Sequence, residues 1–287
     1  MTGKYLMERR GRMKMAETPA IDIRVGTSGY SYIDWNETFY PPDISRNNVL
    51  SYYSTRFSTV ELNFSYYRMP TARQLNGMLG RSGTELDFAI KAHESLTHHV
   101  EPATWMDSVK EYRQALTPLQ EADRLAAVLC QFPYSFHYNQ DNRWYLHRLL
   151  TELNGLPLVV EFRNAEWLHN RVFGTLRAMG VGFCCVDEPR LKGLPPSLDM
   201  VTSDLAYIRF HGRNAHTWWN AASAAERFDY LYTENELNGW LARIASMLQT
   251  TGTMRIYFNN HRRGQAPANA AMLDKLLREA GVLASSS

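Results

Sequence analysis

Tyr207-Ile208-Arg209-Phe210-His211 alternates strictly between apolar and charged side chains after its first residue. In an extended chain successive side chains point to opposite faces, so Ile208 and Phe210 share one face and Arg209 and His211 the other. Val159-Val160-Glu161-Phe162-Arg163 repeats the arrangement, with Val160 and Phe162 opposed to Glu161 and Arg163. Working outward in both directions gives eight short segments of strand length: Ile23–Ser28, Thr59–Asn63, Asp87–Lys91, Ala127–Gln131, Val159–Arg163, Phe183–Asp187, Tyr207–His211 and Arg255–Asn259. In the last seven, one face is wholly apolar: Val60/Leu62, Phe88/Ile90, Val128/Cys130, Val160/Phe162, Cys184/Val186, Ile208/Phe210 and Ile256/Phe258. The opposite face ends in polar residues: Glu61/Asn63, Lys91, Gln131, Glu161/Arg163, Asp187, Arg209/His211 and Asn259.

Between the segments lie stretches with helical periodicity, at 47–57, 142–153, 234–248 and 268–277, the last following Pro267, a residue suited to a first helical turn. Pro189, Pro195 and Pro196 argue for irregular chain or a short helix between the sixth and seventh segments. Strand–helix alternation means a parallel sheet. An open doubly wound sheet covers both faces of its inner strands with helices and has no reason to polarise every strand in the same sense. A closed barrel does, because its helices cover only the outside and its site forms where the strand C-termini converge. The expected fold is therefore a single α/β domain, a (β/α)8 TIM-like barrel with long βα loops over residues 21–284, preceded by a flexible basic leader over residues 1–20.

Composition sets outer limits. The 287 residues are 45% hydrophobic and 21% charged, an ordinary globular balance. No apolar run approaches the roughly 20 residues of a membrane span. Of the net charge of +2, the first fifteen residues carry +4, from Lys4, Arg9, Arg10, Arg12 and Lys14 against Glu8. The body is thus slightly acidic, without the basic footprint of a non-specific duplex binder. The leader has no apolar core of a secretory signal, and Ser285–Ser287 reads as a frayed end. Three cysteines, Cys130, Cys184 and Cys185, are an odd and sparse set, which suits a reducing, cytoplasmic setting.

The chain resembles the DUF72, or YecE-like, family. The resemblance rests on Gly26-Thr27-Ser28-Gly29-Tyr30-Ser31-Tyr32 with Trp35 and Phe39-Tyr40-Pro41, and on Thr59-Val60-Glu61-Leu62-Asn63 with Tyr66-Tyr67-Arg68-Met69-Pro70. It continues through Phe88-Ala89-Ile90-Lys91 with Thr97-His98, Gln131-Phe132-Pro133, and Val160-Glu161-Phe162-Arg163 with Trp167. It ends with Tyr207-Ile208-Arg209-Phe210-His211-Gly212 and Phe258-Asn259-Asn260 with Gly264, Ala266 and Asn269-Ala270. It runs from about Ile23 to Leu277 and implies a TIM-like barrel, with no established reaction attached. Phe64-Ser65 departs from the expected Ser-Thr and weakens any role for a hydroxyl there.

The residues that could carry chemistry follow from the strand ends. Glu61, Lys91, Glu161, Asp187 and His211 are the candidate catalytic groups. Asn63, Arg68, Tyr30, Trp35, His98, Gln131, Arg163, Arg209 and Asn259 are the candidate substrate-binding groups. Carboxylates with one imidazole suit Mg²⁺, Mn²⁺ or Zn²⁺, so a divalent metal is a candidate cofactor, although no HxH or HExxH spacing is present. The alternative is that these acids neutralise Lys91, Arg163 and Arg209 in an internal network. Lys91, Arg163, Arg209 and Arg213, with Arg68 nearby, outnumber the three acids, which favours a carboxylate or phosphate ligand. Lys91 could also form a Schiff base, helped by nearby arginines, or serve only as a hydrogen-bonding lysine. His211 is the best acid–base group by type, or else a structural histidine. The loop aromatics, among them Tyr32, Tyr40, Tyr66, Tyr67, Trp167, Trp218 and Trp219, either stack on a ligand or pack the loops onto the rim. No GxGxxG, GxxxxGK[ST] or GxSxG motif occurs. Two classes remain: an enzyme, hydrolase or lyase, acting on a small anionic substrate, phosphorylated or not; or a non-catalytic module binding nucleic acid or another phosphorylated partner. Oligomeric state is not legible.

Overall fold

In the computed structural model, residues 21–283 are described. The leader expected over residues 1–20 and the end at Ser285–Ser287 lie outside them. Eight parallel strands close in chain order into a barrel: β1 (Asp22–Ser28), β2 (Thr59–Leu62), β3 (Asp87–Lys91), β4 (Leu125–Phe132), β5 (Leu158–Phe162), β6 (Gly182–Asp187), β7 (Leu205–Phe210) and β8 (Thr253–Phe258). Each lies within two residues of its expected bounds. The seam between β8 and β1 runs from Asp22 opposite Thr253 to Thr27 opposite Phe258.

The helices are α1 (Val49–Tyr53), α2 (Phe64–Tyr67), α3 (Ala72–Leu79), α4 (Trp105–Glu121), α5 (Gln140–Glu152), α6 (Asn170–Ala178), α7 (Ala224–Arg227), α8 (Glu234–Leu248) and α9 (Gln265–Glu279); the longer ones wrap the outside, and two short ones, α2 and α7, sit at the mouth. Between β6 and β7 the chain is irregular, as its three prolines require. The first turn of α8 shows how local sequence fixes an element. Thr233 accepts from the Glu236 amide while the Glu236 carboxylate accepts from the Thr233 amide, a reciprocal cap. Leu237, Trp240, Ile244 and Met247 then fall on the buried side. No helix among the described residues is long and apolar enough to cross a membrane.

Two apolar layers result. The outer one, between strands and helices, takes in Val60, Ile90, Val160, Phe162, Ile208 and Phe258. The inner one fills the barrel with Ala89, Ala127, Leu129, Val159, Cys184, Val186, Tyr207 and Tyr257. Six of the seven polarised strands present the expected faces. β6 is the exception: Cys184 and Val186 point inward, while Cys185 joins the outer layer. Asp187 shares the outward face with Cys185, so its carboxylate is turned away from the barrel interior. Arg213 donates to both its oxygens at 2.7 Å, and Tyr232 Oη and Trp240 Nε1 each donate at 2.9 Å. Four donors satisfy an acid inside an otherwise apolar layer, and that satisfaction makes outward burial tolerable. Gly212, at φ +85°, makes the turn after β7 that precedes Arg213, and a Cβ there would lie 2.7 Å from Tyr230 Cβ.

Candidate active site at the barrel mouth

The C-terminal ends of the strands enclose a cavity of about 210 Å³, lined by Tyr32, Asn63, Tyr66, Tyr67, Lys91, Gln131, Arg163, Arg209, Phe228, Asn259 and His261. A wider cleft of about 690 Å³ lies on the flank, against the start of β1, the loop before β2 and α9, away from these residues.

Beneath the cavity the charges interlock. Arg209 is the hub, with Nη2 donating to Glu61 Oε1 at 2.7 Å and Nη1 to Glu161 Oε2 at 2.6 Å. Ser28 Oγ and Tyr207 Oη also donate to Glu61, both at 2.6 Å. Arg163 Nε lies 2.5 Å from Glu161 Oε1, and its Nη1 donates to Glu188 Oε2 at 3.1 Å. Glu61 and Glu161 are both wholly buried. Burial alone would raise the Glu161 carboxyl, but Arg163 and Arg209 outweigh it and hold that carboxyl well below the usual range. Glu188 moves the other way: burial, with Glu161 and Asp187 adding their charge, pushes it up to about 8 against the pull of Arg163.

His211 is fully buried beside this network. The amide of Asn259 donates to Nδ1 at 3.1 Å, so the ring proton sits on Nε2, 3.2 Å from Glu161 Oε1. Burial and then the charge of Arg163 push its pKa down to about 3, so the ring is neutral near pH 7. It orients Glu161 and Asn259 rather than reaching the cavity.

Lys91 differs from every other cation here. Its ammonium group makes no hydrogen bond and no ion pair with any described residue, and Nζ sits 3.9 Å from the centre of the Tyr66 ring. Its neighbours inside the barrel at β3 and β4 are Ala89, Ala127 and Leu129, none of which offers an acceptor from its side chain. Burial first, and then the charges of Arg209 and Arg163, bring its pKa down to about 7 despite the opposing pull of Glu161 and Glu61.

Of the residues singled out in the sequence, Asn63, Lys91, Gln131, Arg163, Arg209 and Asn259 line the cavity, and Glu61, Glu161 and His211 support it from below. Asp187 lies outside it, as does Arg213, which pairs with Asp187 and Glu236. Arg68 is exposed at the end of α2. Trp35 is fully buried, donating from Nε1 to the His261 carbonyl, and Tyr30 packs against Tyr53. His98 stands behind Tyr66, edge to face at 4.7 Å, and burial followed by the charge of Lys91 pushes it down to about 3. Among the loop rings, Tyr32, Tyr66 and Tyr67 reach the cavity, whereas Tyr40, Trp167 and Trp218 are buried. Glu188, His261 and Phe228 were not singled out. Glu188 carried the one available signal, a second acid directly after the β6 strand end.

The donor set does not fit a divalent metal. Among the described residues no three His, Cys, Asp or Glu side chains are grouped to hold one. The oxygens of Glu61 and Glu161 already face Arg209 and Arg163, so a guanidinium stands where an ion would have to sit.

The fold and the position of this cavity define a (β/α)8 barrel protein with a polar cavity at the strand C-termini. The profile of the family described as "Protein of unknown function DUF72" matches residues 24–286, and the chain belongs to that family. It is 28% identical over 269 residues to the UPF0759 protein YunF of Bacillus subtilis, covering 89% of this chain and 94% of that one. A solved DUF72 family protein from Thermotoga maritima is 36% identical, with a TM-score of 0.82 over 90% of this chain and 99% of that one. Another from Enterococcus faecalis shares the fold at 24% identity and a TM-score of 0.80, over 92% and 97% of the two chains.

Proposed function

We propose that the barrel-mouth cavity is the active site of an enzyme, a lyase or hydrolase, that acts on a small anionic substrate held against Lys91. The single observation that carries this reading is the uncommitted ammonium of Lys91 in a mouth where both neighbouring arginines are committed to carboxylates. Around pH 7, two arginines balance Glu61 and Glu161, and the raised pKa of Glu188 keeps much of it protonated. When Lys91 is protonated, the mouth therefore carries an excess positive charge, which an oxyanion would neutralise at low desolvation cost. The cavity volume admits roughly seven waters at about 30 Å³ each, the scale of a small metabolite rather than a polymer. Arg163 and Arg209 hold the internal acids and orient the site, and Lys91, Gln131, Asn63 and Asn259 contact the ligand.

Calorimetric titration with inorganic phosphate and with small carboxylates tests the reading. Binding should strengthen as the pH falls through about 7, where Lys91 gains its proton, and Lys91→Met should lose roughly tenfold or more in affinity, the scale of a charge-assisted hydrogen bond. Binding that is absent, or unaffected by Lys91→Met, would defeat it. Attachment of nucleic acid through the same anion chemistry is the lesser reading: Tyr67 and Trp219 are exposed rings at this end, but Trp35, Trp167 and Trp218 are closed into the loops.

A further inference from the structure

We propose that Lys91 is a covalent amine, condensing with the aldehyde or ketone carbon of a small oxo acid to form an imine in the barrel mouth. The inference rests on the reading of that mouth as a small-anion site and goes beyond it by naming the reactive group of the substrate. Three features of the geometry lead there. Lys91 follows Ala89 along β3 and stands opposite Leu129 of β4, neither of which offers a side-chain acceptor. The face of Tyr66 covers it at 3.9 Å and leaves the rest of its surroundings to the cavity. The two arginines of the mouth are locked to Glu61, Glu161 and Glu188, so the permanent cations are fixed in place and the one cation able to lose its proton is left free.

The depressed proton affinity of Lys91 is what such a site needs, since the neutral amine is the nucleophile. Its lone pair forms the N–C bond as the carbonyl π pair moves to oxygen. One N–H proton passes to that oxygen to give the carbinolamine. The second follows as the hydroxyl departs, so the oxygen leaves as water and C=N remains, with no oxidant or reductant required. The oxyanion developing during attack lies in the field of Arg209 and Arg163. The Gln131 amide, in the cavity wall, is available to the carboxylate of the oxo acid.

Reductive trapping tests the proposal. The full chain is incubated with pyruvate as probe near pH 7.5, reduced with cyanoborohydride and mapped by peptide mass spectrometry, beside a phosphate titration of the same preparation. The expected result is a reduced adduct at Lys91 that forms at least about tenfold faster than at Lys110 or Lys275, both exposed, because an exposed lysine is almost wholly protonated at that pH. Lys91→Arg should abolish the Lys91 adduct and leave the slow surface labelling. Mapping the native chain locates the adduct even if that variant does not fold. Phosphate binding without a Lys91 adduct would overturn the imine and leave Lys91 as an anion anchor. Absence of both would overturn the imine and the small-anion reading together.

Discussion

Each end of the barrel is closed by an arginine–carboxylate cluster, and the two clusters leave different things over. Where the strands begin, Arg255 Nη2 lies 2.7 Å from both Asp22 and Asp87, and Arg24 reaches the same two acids at 3.1 and 3.4 Å. Asp22 is 42% exposed, and no lysine takes part. Where the strands end, Arg209 meets the wholly buried Glu61 and Glu161, Arg163 reaches Glu161 from the cavity wall, and Lys91 stands beside them without a partner among the described residues. The first cluster is balanced, two arginines against two acids, and opens to water at Asp22. The second lies against the cavity and carries a spare amine. On the function proposed above, stability and chemistry separate along the barrel axis, and the separation can be broken experimentally at several points.

The largest effect should come from the hub. Arg209→Met strands two buried carboxylates and should cost about 3–5 kcal/mol in urea unfolding, the scale for breaking a buried pair. Asp187→Asn removes charge-assisted bonds to Arg213 and should cost about 2–3 kcal/mol while leaving phosphate affinity unchanged, because that carboxylate faces the helices. A loss of affinity there would place Asp187 back in the mouth. Arg255→Met, at the wetter end, should cost about 1.5–2 kcal/mol, less than Arg209→Met although it too contacts two acids.

The last expected change has the opposite sign. Lys91→Met should stabilise the chain at pH 6, since an unpaired cation in a desolvated setting is replaced by an apolar chain of similar length. Its pKa is lower folded, about 7, than unfolded, about 10.5, so folding releases a proton between those values. The native chain therefore gains stability as the pH rises through that window, and the advantage of the Met variant should shrink toward pH 10. Unfolding curves at pH 6 and pH 9.5 check the sign. Glu161 behaves in the usual acidic manner: held well below its ordinary value, it contributes stability above about pH 4.5 that is lost as the pH falls further.

How much of this was legible depended on whether a residue's neighbours in sequence were also its neighbours in space. The barrel was legible because alternation is local, and seven strands repeat it. β6 was misread because Cys184 and Cys185 are identical and only Asp187 was left to assign the faces. The groups that draw Asp187 outward, Arg213, Tyr232 and Trp240, lie 26 to 53 positions further along. The charges of the mouth were legible, but their pairing was not. Taken as a list, the strand-end cations outnumbered the acids and pointed to arginine as the anion binder. In space Arg213 leaves with Asp187, Glu188 joins Arg163, and the surplus falls on Lys91 instead. The aromatic loops divided in the same way, with Trp35 drawn under the His261 carbonyl and Tyr32 left facing the cavity.

The claim on which the account turns is that Lys91 is a free amine of low proton affinity. With ¹³C at the lysine ε-carbons, and Lys91→Arg to assign its signal, an NMR titration reads that affinity directly. An inflection near pH 7 is expected for Lys91, against about 10.4 for exposed lysines. An inflection for Lys91 at or above pH 10 would mean that a partner holds the ammonium, and Lys91 would then be no free amine.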